Sequence, residues 1–165
     1  MDVATKQGAT ETAIEEVYRR RYTSFLRLGY ALLGGSDQAC DAVQEAFATA
    51  LRARNSYRGE GSLDGWLWRT MLNVCHQERR RLAHYADTEP PEQASNGHPA
   101  KWPELRAAVA ALPDQERNAV YLRYYAELTQ DETAEVLGVR PGTVAAALNH
   151  ARAKLRTALG TEVTR

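Results

Sequence analysis

The chain has 165 residues and a mass of 18.4 kDa, enough for one ordinary domain or two small ones. Apolar residues make up 44% and charged residues 25%, which excludes a wholly disordered or fibrous protein. The 21 basic residues are matched by 21 acidic ones, so nucleic acid cannot be gripped by bulk charge; any DNA contact must come from local patches or through a partner.

All six prolines lie at or after Pro90, and the first 89 residues carry an apolar rhythm of three and four. Ile14, Val17, Tyr18, Tyr22, Phe25, Leu28 and Leu32 line one face of a first long helix, which Gly34-Gly35-Ser36 ends. Ser36 or Asp37 can cap a second helix with Ala39, Val43, Phe47, Ala50 and Leu51 as its buried stripe. Its opposite stripe is polar: Asp37, Asp41, Gln44 and Glu45. A third helix is predicted from Ser62 or Asp64 to the run Arg79-Arg80-Arg81. Residues 84–101 hold three prolines and almost nothing that builds a core, so they read as a flexible linker. A short helix with Leu105, Val109 and Leu112 follows. Another starts at Pro113-Asp114, and two more come after it. No segment alternates with period two, and the fold class expected is all-α.

Cys40 and Cys75 lack the spacing of a metal site and cannot form a disulfide framework; they read as small buried or half-buried thiols. The apolar runs are too short for a membrane span, and Met1 to Lys6 lacks the pattern of a signal sequence. A soluble, cytoplasmic protein without cofactor or metal is expected. An enzyme needs convergent reactive groups. His76, His84, His98 and His150 are scattered, and no carboxylate, His/Cys or phosphate-cradling constellation stands near them.

The clearest motif runs from Thr129 to Val144. Thr129 and Glu132 have the spacing of a capping box. Ala134 is small where a second helix must approach, Gly138 suits a left-handed helix end, and Pro141 suits a first turn. Val144, Leu148, Ala151 and Leu155 continue an apolar face. A plain helical hairpin would satisfy the same spacing, but the combination favours a DNA-binding helix-turn-helix. The first half of its second helix, Thr143-Val144-Ala145-Ala146-Ala147, offers few hydrogen-bonding side chains for base readout. Arg140, Thr143, Asn149, His150, Arg152, Lys154 and Arg156 remain as candidates, the basic ones suited to phosphates.

Two further stretches carry information. Asp37-Gln38-Ala39-Cys40-Asp41-Ala42-Val43-Gln44-Glu45-Ala46-Phe47 is an amphipathic helix whose acidic face is either a solvated surface or a docking stripe. Residues 55–81 mix a Gly-rich loop (Tyr57, Arg58, Gly59, Gly61, Ser62) with Trp66, Trp68, Arg69, Asn73 and Gln77, a mixture suited to single-stranded nucleic acid; the alternative is that the tryptophans are core.

Together with the helix-turn-helix, these stretches resemble bacterial RNA polymerase sigma factors of the extracytoplasmic-function (ECF) group of the sigma-70 family. The resemblance covers residues 11–160, with its elements in the family's order. It implies a sigma2 domain of three or four helices at 11–83, a flexible linker at 84–101 and a sigma4 helix-turn-helix domain at 102–160. It implies an alternative sigma factor that binds core polymerase and directs promoter-specific initiation. Asp37, Asp41, Gln44 and Glu45 would dock on the β′ clamp helices, with the β flap a further polymerase contact. Tyr57, Arg58, Ser62, Asn73 and Gln77 would capture a flipped −10 base, with Trp66, Trp68 and Arg69 supporting the opened strand. Arg140, Thr143, Asn149, His150, Arg152 and Lys154 would face the −35 element. A separate anti-sigma factor is the implied regulator, and it could hold the protein at the membrane; when active, the chain would associate with the nucleoid.

Two departures stand out. The family usually has basic and hydroxyl residues where Ala145, Ala146 and Ala147 lie, and often an acid where Cys40 stands. The alternatives are a stand-alone helix-turn-helix regulator using residues 102–160 alone, or a degenerate sigma that binds polymerase or an anti-sigma without normal −35 readout.

Overall fold

The computed structural model describes residues 8–88 and 102–160. Every regular element among them is helical, and no helix among them is long and apolar enough to cross a membrane. The chain divides into two compact units, Met1–Ala94 and Ser95–Arg165.

The first unit packs three helices, each against the other two: α1 (Glu11–Leu33), α2 (Ser36–Arg52) and α3 (Leu63–Thr88). Thr10 caps α1, its Oγ1 accepting from the Ala13 N–H at 3.1 Å, and Gly34 ends it at φ 84°. That left-handed turn is what glycine supplies without strain. The cap of α2 is Gly35; Ser36 and Asp37 fall in its first turn, where the Asp37 charge faces the positive end of the helix. Ser62 Oγ accepts from the Gly65 N–H at 2.9 Å and so caps α3.

The core of this unit is aromatic at its centre. Phe25 lies 4.1 Å from Trp68 between ring centroids, and Phe47 packs edge-on against both Phe25 and Tyr18. Ile14, Leu28, Val43, Leu67, Met71 and Cys75 complete it, all buried. Across the surface Arg20 and Arg21 of α1 both donate to Asp64 of α3, at 2.5 and 3.1 Å.

Two expectations are corrected. Leu51 is 37% exposed rather than buried, because it lies about 100° round the helix from Ala50, at the edge of the apolar face. Helix α3 does not stop at the arginine run: Arg81 pairs with Glu78 and lies over the Tyr85 ring, and the helix continues to Thr88. Residues 84–88 are therefore helix, while the rest of the expected linker, 89–101, lies outside the described residues.

The second unit comprises α4 (Pro103–Ala110), α5 (Asp114–Val120), a π-helical turn (Tyr121–Tyr125), α6 (Gln130–Leu137) and α7 (Pro141–Ala158). The reciprocal capping box forms: Glu132 N–H donates to Thr129 Oγ1 at 3.1 Å, and Thr129 N–H to Glu132 Oε2 at 2.7 Å. Gly138 takes φ 67°, Pro141 opens α7, and Gln130 Nε2 donates to the Pro141 carbonyl at 2.9 Å, tying the two helices of the turn together. Val136, Val144, Leu148 and Ala151 form the core with Leu122 and Leu128.

Candidate partner and nucleic-acid surfaces

Asp37, Asp41, Gln44 and Glu45 are all exposed, and their spacing along α2 gathers them on one face. Glu45 Oε1 accepts from Arg52 Nη2 at 2.9 Å and from Thr49 Oγ1 at 3.1 Å. Beside Gln44 an apolar groove of about 370 Å³ opens between α1 and α2, lined by Ile14, Tyr18, Phe47, Ala48 and Leu51. Burial pushes the Tyr18 hydroxyl above its ordinary pKa, so it stays a neutral donor there. A polar stripe beside an apolar groove is the anatomy of a docking surface, a rim of specificity around an apolar centre.

The segment between α2 and α3 forms a closed loop. A 3-10 turn at Arg54–Ser56 leads into it. The Tyr57 hydroxyl then donates across it to the Gly61 carbonyl at 2.9 Å, and its ring lies 5.6 Å from that of Trp66. Gly59 and Gly61 take φ of 71° and 83°, conformations that a side chain would strain. Arg58 and Ser62 are exposed on this loop. From it, Arg69, Asn73 and Gln77 run down α3 at intervals of four, exposed, with the half-buried Trp66 at the head of the row. The row continues through Arg80 and His84, both exposed; helical spacing from Gln77 is the signal that would have found them. Aromatic faces, amide groups and guanidinium groups in a line can stack unpaired bases and hold a backbone.

Trp68 is corrected: it is 1% exposed and packed against Phe25, so it is a core residue and cannot support a DNA strand. Neighbours two apart on a helix point about 200° from each other, which separates its role from that of Trp66.

In α7, Val144, Ala147, Leu148 and Ala151 are buried, so Ala147 belongs to the core and not to the outward face. Thr143, Ala146, Asn149, His150 and Arg152 face outward, and Arg140 is exposed at the helix cap. Arg152 Nε donates to the Tyr124 hydroxyl at 3.1 Å, and its guanidinium sits 5.8 Å over that ring. Lys154 is also exposed, and its Nζ donates to both oxygens of the buried Glu116 at 2.7 and 2.9 Å.

Among the described residues no cluster of His, Cys, Asp or Glu is placed to hold a metal ion. Cys75 is buried, which pushes its thiol pKa up to about 12, and Cys40 is half-buried.

Two family models match the chain, sigma-70 region 2 over residues 17–85 and sigma-70 region 4 over residues 103–155. The ECF RNA polymerase sigma factor SigM of Mycobacterium tuberculosis (strain H37Rv) is 30% identical over 156 residues, covering 90% of this chain and 78% of SigM. The RNA polymerase sigma factor YlaC of Bacillus subtilis is 29% identical over 157 residues, covering 87% of this chain and 90% of YlaC. In three dimensions the chain is similar to the sigma factor RpoE of Bartonella quintana, solved with the anti-sigma factor NepR, with a TM-score of 0.62 at 21% identity over 90% of this chain and 99% of that one.

Proposed function

We infer the function of this chain from the family to which it belongs, the ECF group of the sigma-70 RNA polymerase sigma factors. Sigma factors are non-enzymatic initiation factors, and the reading is that this one binds core polymerase and selects promoters for it. The observation that carries it is the presence of region 2 and region 4 in order, each matched to its own helical unit.

The assignment of roles follows the surfaces. Asp37, Asp41, Gln44 and Glu45 dock the chain on core polymerase. The 57–62 loop with Asn73 and Gln77 captures an unpaired base of the −10 element, while Trp66 and Arg69 support the separated strand. Unstacking a base costs a few kcal/mol, and a pocket that binds it only when flipped favours melted over duplex DNA. The second unit lies on the −35 element through Arg140, Thr143, Asn149, His150 and Arg152, with shape readout sharing the work, because the outward face of α7 carries few polar groups near its start. A net charge of zero fits this arrangement, since the polymerase supplies the general affinity for DNA. The Bartonella relative was solved with an anti-sigma factor, and a protein of that kind is proposed to hold this chain inactive by covering the stripe on α2.

The test is transcription by core polymerase reconstituted with the purified chain on a pool of genomic fragments. Starts at a common promoter sequence are expected. Polymerase binding without any promoter-specific transcript would favour the degenerate sigma, and absence of polymerase binding would refute the sigma reading altogether.

A further inference from the structure

The residues just before α1 touch the base of the promoter loop. Ala9 N–H donates to the Arg54 carbonyl at 3.0 Å. The same carbonyl accepts the Tyr57 N–H at 3.3 Å. One oxygen thus joins the N-terminal segment to the first residue of the loop, and Tyr57 in turn closes that loop through its hydroxyl on Gly61. The approach is close enough to require glycine at position 8. A Cβ there would lie 2.5 Å from the Arg54 carbonyl oxygen and 2.7 Å from Asn55 Cα, both backbone atoms that no rotamer change can move. An ion pair between Glu11 Oε1 and Arg54 Nη2 at 3.3 Å fastens the same junction from the first turn of α1. Thr10, as the cap of α1, fixes the direction from which the segment arrives.

The geometry points to Gly8-Ala9 as a positioning strap: it holds the 3-10 turn Arg54–Ser56 and so sets the height and tilt of the loop that captures the −10 base. The strap touches no DNA and acts through Tyr57. This rests on the base-capture reading of the loop. Its physical basis is that a pocket for one flipped base gains selectivity only if its walls are ordered before the base arrives. A three-residue 3-10 turn between two helices has few bonds of its own with which to supply that order.

The experiment compares holoenzymes carrying Gly8→Val, deletion of residues 1–9, Tyr57→Ala, and Gly8→Val with Tyr57→Ala. Each is assayed for polymerase affinity and for open-complex formation on a promoter found as above. The deletion leaves the Thr10 cap in place, so it reports on the strap even where Gly8→Val disturbs folding. Loss of one or two hydrogen bonds that order the loop predicts a drop in open complexes of about three- to tenfold for both strap variants. Polymerase affinity is expected to stay within about twofold of wild type, because the strap lies off the α2 stripe. In the free protein the Tyr57 amide exchanges faster in Gly8→Val while the buried amides of α1 and α3 do not. The double variant is expected to be no worse than Tyr57→Ala alone. If Tyr57→Ala lowers open complexes and the strap variants do not, the strap is idle and the inference is overturned. Equal loss of polymerase affinity in the strap variants overturns it too. If Tyr57→Ala itself has no effect, it is the base-capture reading that fails.

Discussion

Trp68 packs against Phe25 with ring centroids 4.1 Å apart and planes tilted by 41°, both side chains sealed from solvent at the meeting point of three helices. Two positions earlier, Trp66 leans on Tyr57 at the surface loop. The two tryptophans thus occupy different settings, one in the core and one beside the loop. Trp68→Ala is expected to destabilise the first unit by about 3–5 kcal/mol, and Trp68→Phe by less. The indole Nε1 of Trp68 has no hydrogen-bond partner, so Phe forfeits volume but no polar contact. Trp66→Ala is expected to change stability little and to reduce open-complex formation. Urea denaturation beside a strand-opening assay separates them.

The α2 stripe predicts a charge-reversal phenotype. Asp41→Arg with Glu45→Arg is expected to weaken core-polymerase binding by about a hundredfold or more, since like charges set against a complementary surface cost several kcal/mol. Both residues are exposed, so circular dichroism and melting temperature are expected to remain near wild type. A normal pull-down by the folded variant would place the docking face elsewhere.

Helix α7 offers a gain of function. Ala146 faces outward, and Ala146→Arg adds a phosphate contact, so promoter affinity is expected to rise at low salt with the salt slope steeper by about one. Ala147 is buried, and Ala147→Arg is expected to cost more than about 3 kcal/mol by forcing a charge into the core. Binding titrations at several salt concentrations, paired with thermal melts, test both.

The two thiols predict a pH signature. Cys40 is expected to react with a thiol reagent in the folded protein and Cys75 only after unfolding. The folded-state pKa of Cys75 is raised to about 12 from an ordinary value of 9.0. Its neutral thiol therefore contributes stability fully below pH 9, which is lost as pH rises from 9 towards 12, where only the unfolded chain ionises. Over that window wild type is expected to lose stability relative to Cys75→Ala, as followed by urea midpoints.

Much of this architecture could be read from local chemistry. The capping box at Thr129 and Glu132, the turn at Gly138 and the opening Pro141 are fixed-offset signals, and each forms as its residues dictate. Where residue type and helical angle disagree, the angle decides burial. Trp68 shares the stripe of Met71, Leu72 and Cys75 at spacings of three, four and seven, which assigns it to the core. Ala147 shares the stripe of Val144, Leu148 and Ala151 in the same way. An arginine run is a common helix terminus, but here Glu78 and Tyr85 hold Arg81 and α3 goes on. Contacts far apart in sequence, such as Ala9 with Arg54 and Lys154 with Glu116, left no periodic trace at all.

The shared carboxylate of Asp64 makes one joint between helices lopsided. Removing Arg20 leaves Arg21 in place, and the reverse also holds, so each base is insured by the other. Removing the acid severs both tethers at a stroke. Under random mutation the joint therefore tolerates injury on the α1 side and is brittle on the α3 side, at the very turn where the loop after α2 gives way to helix.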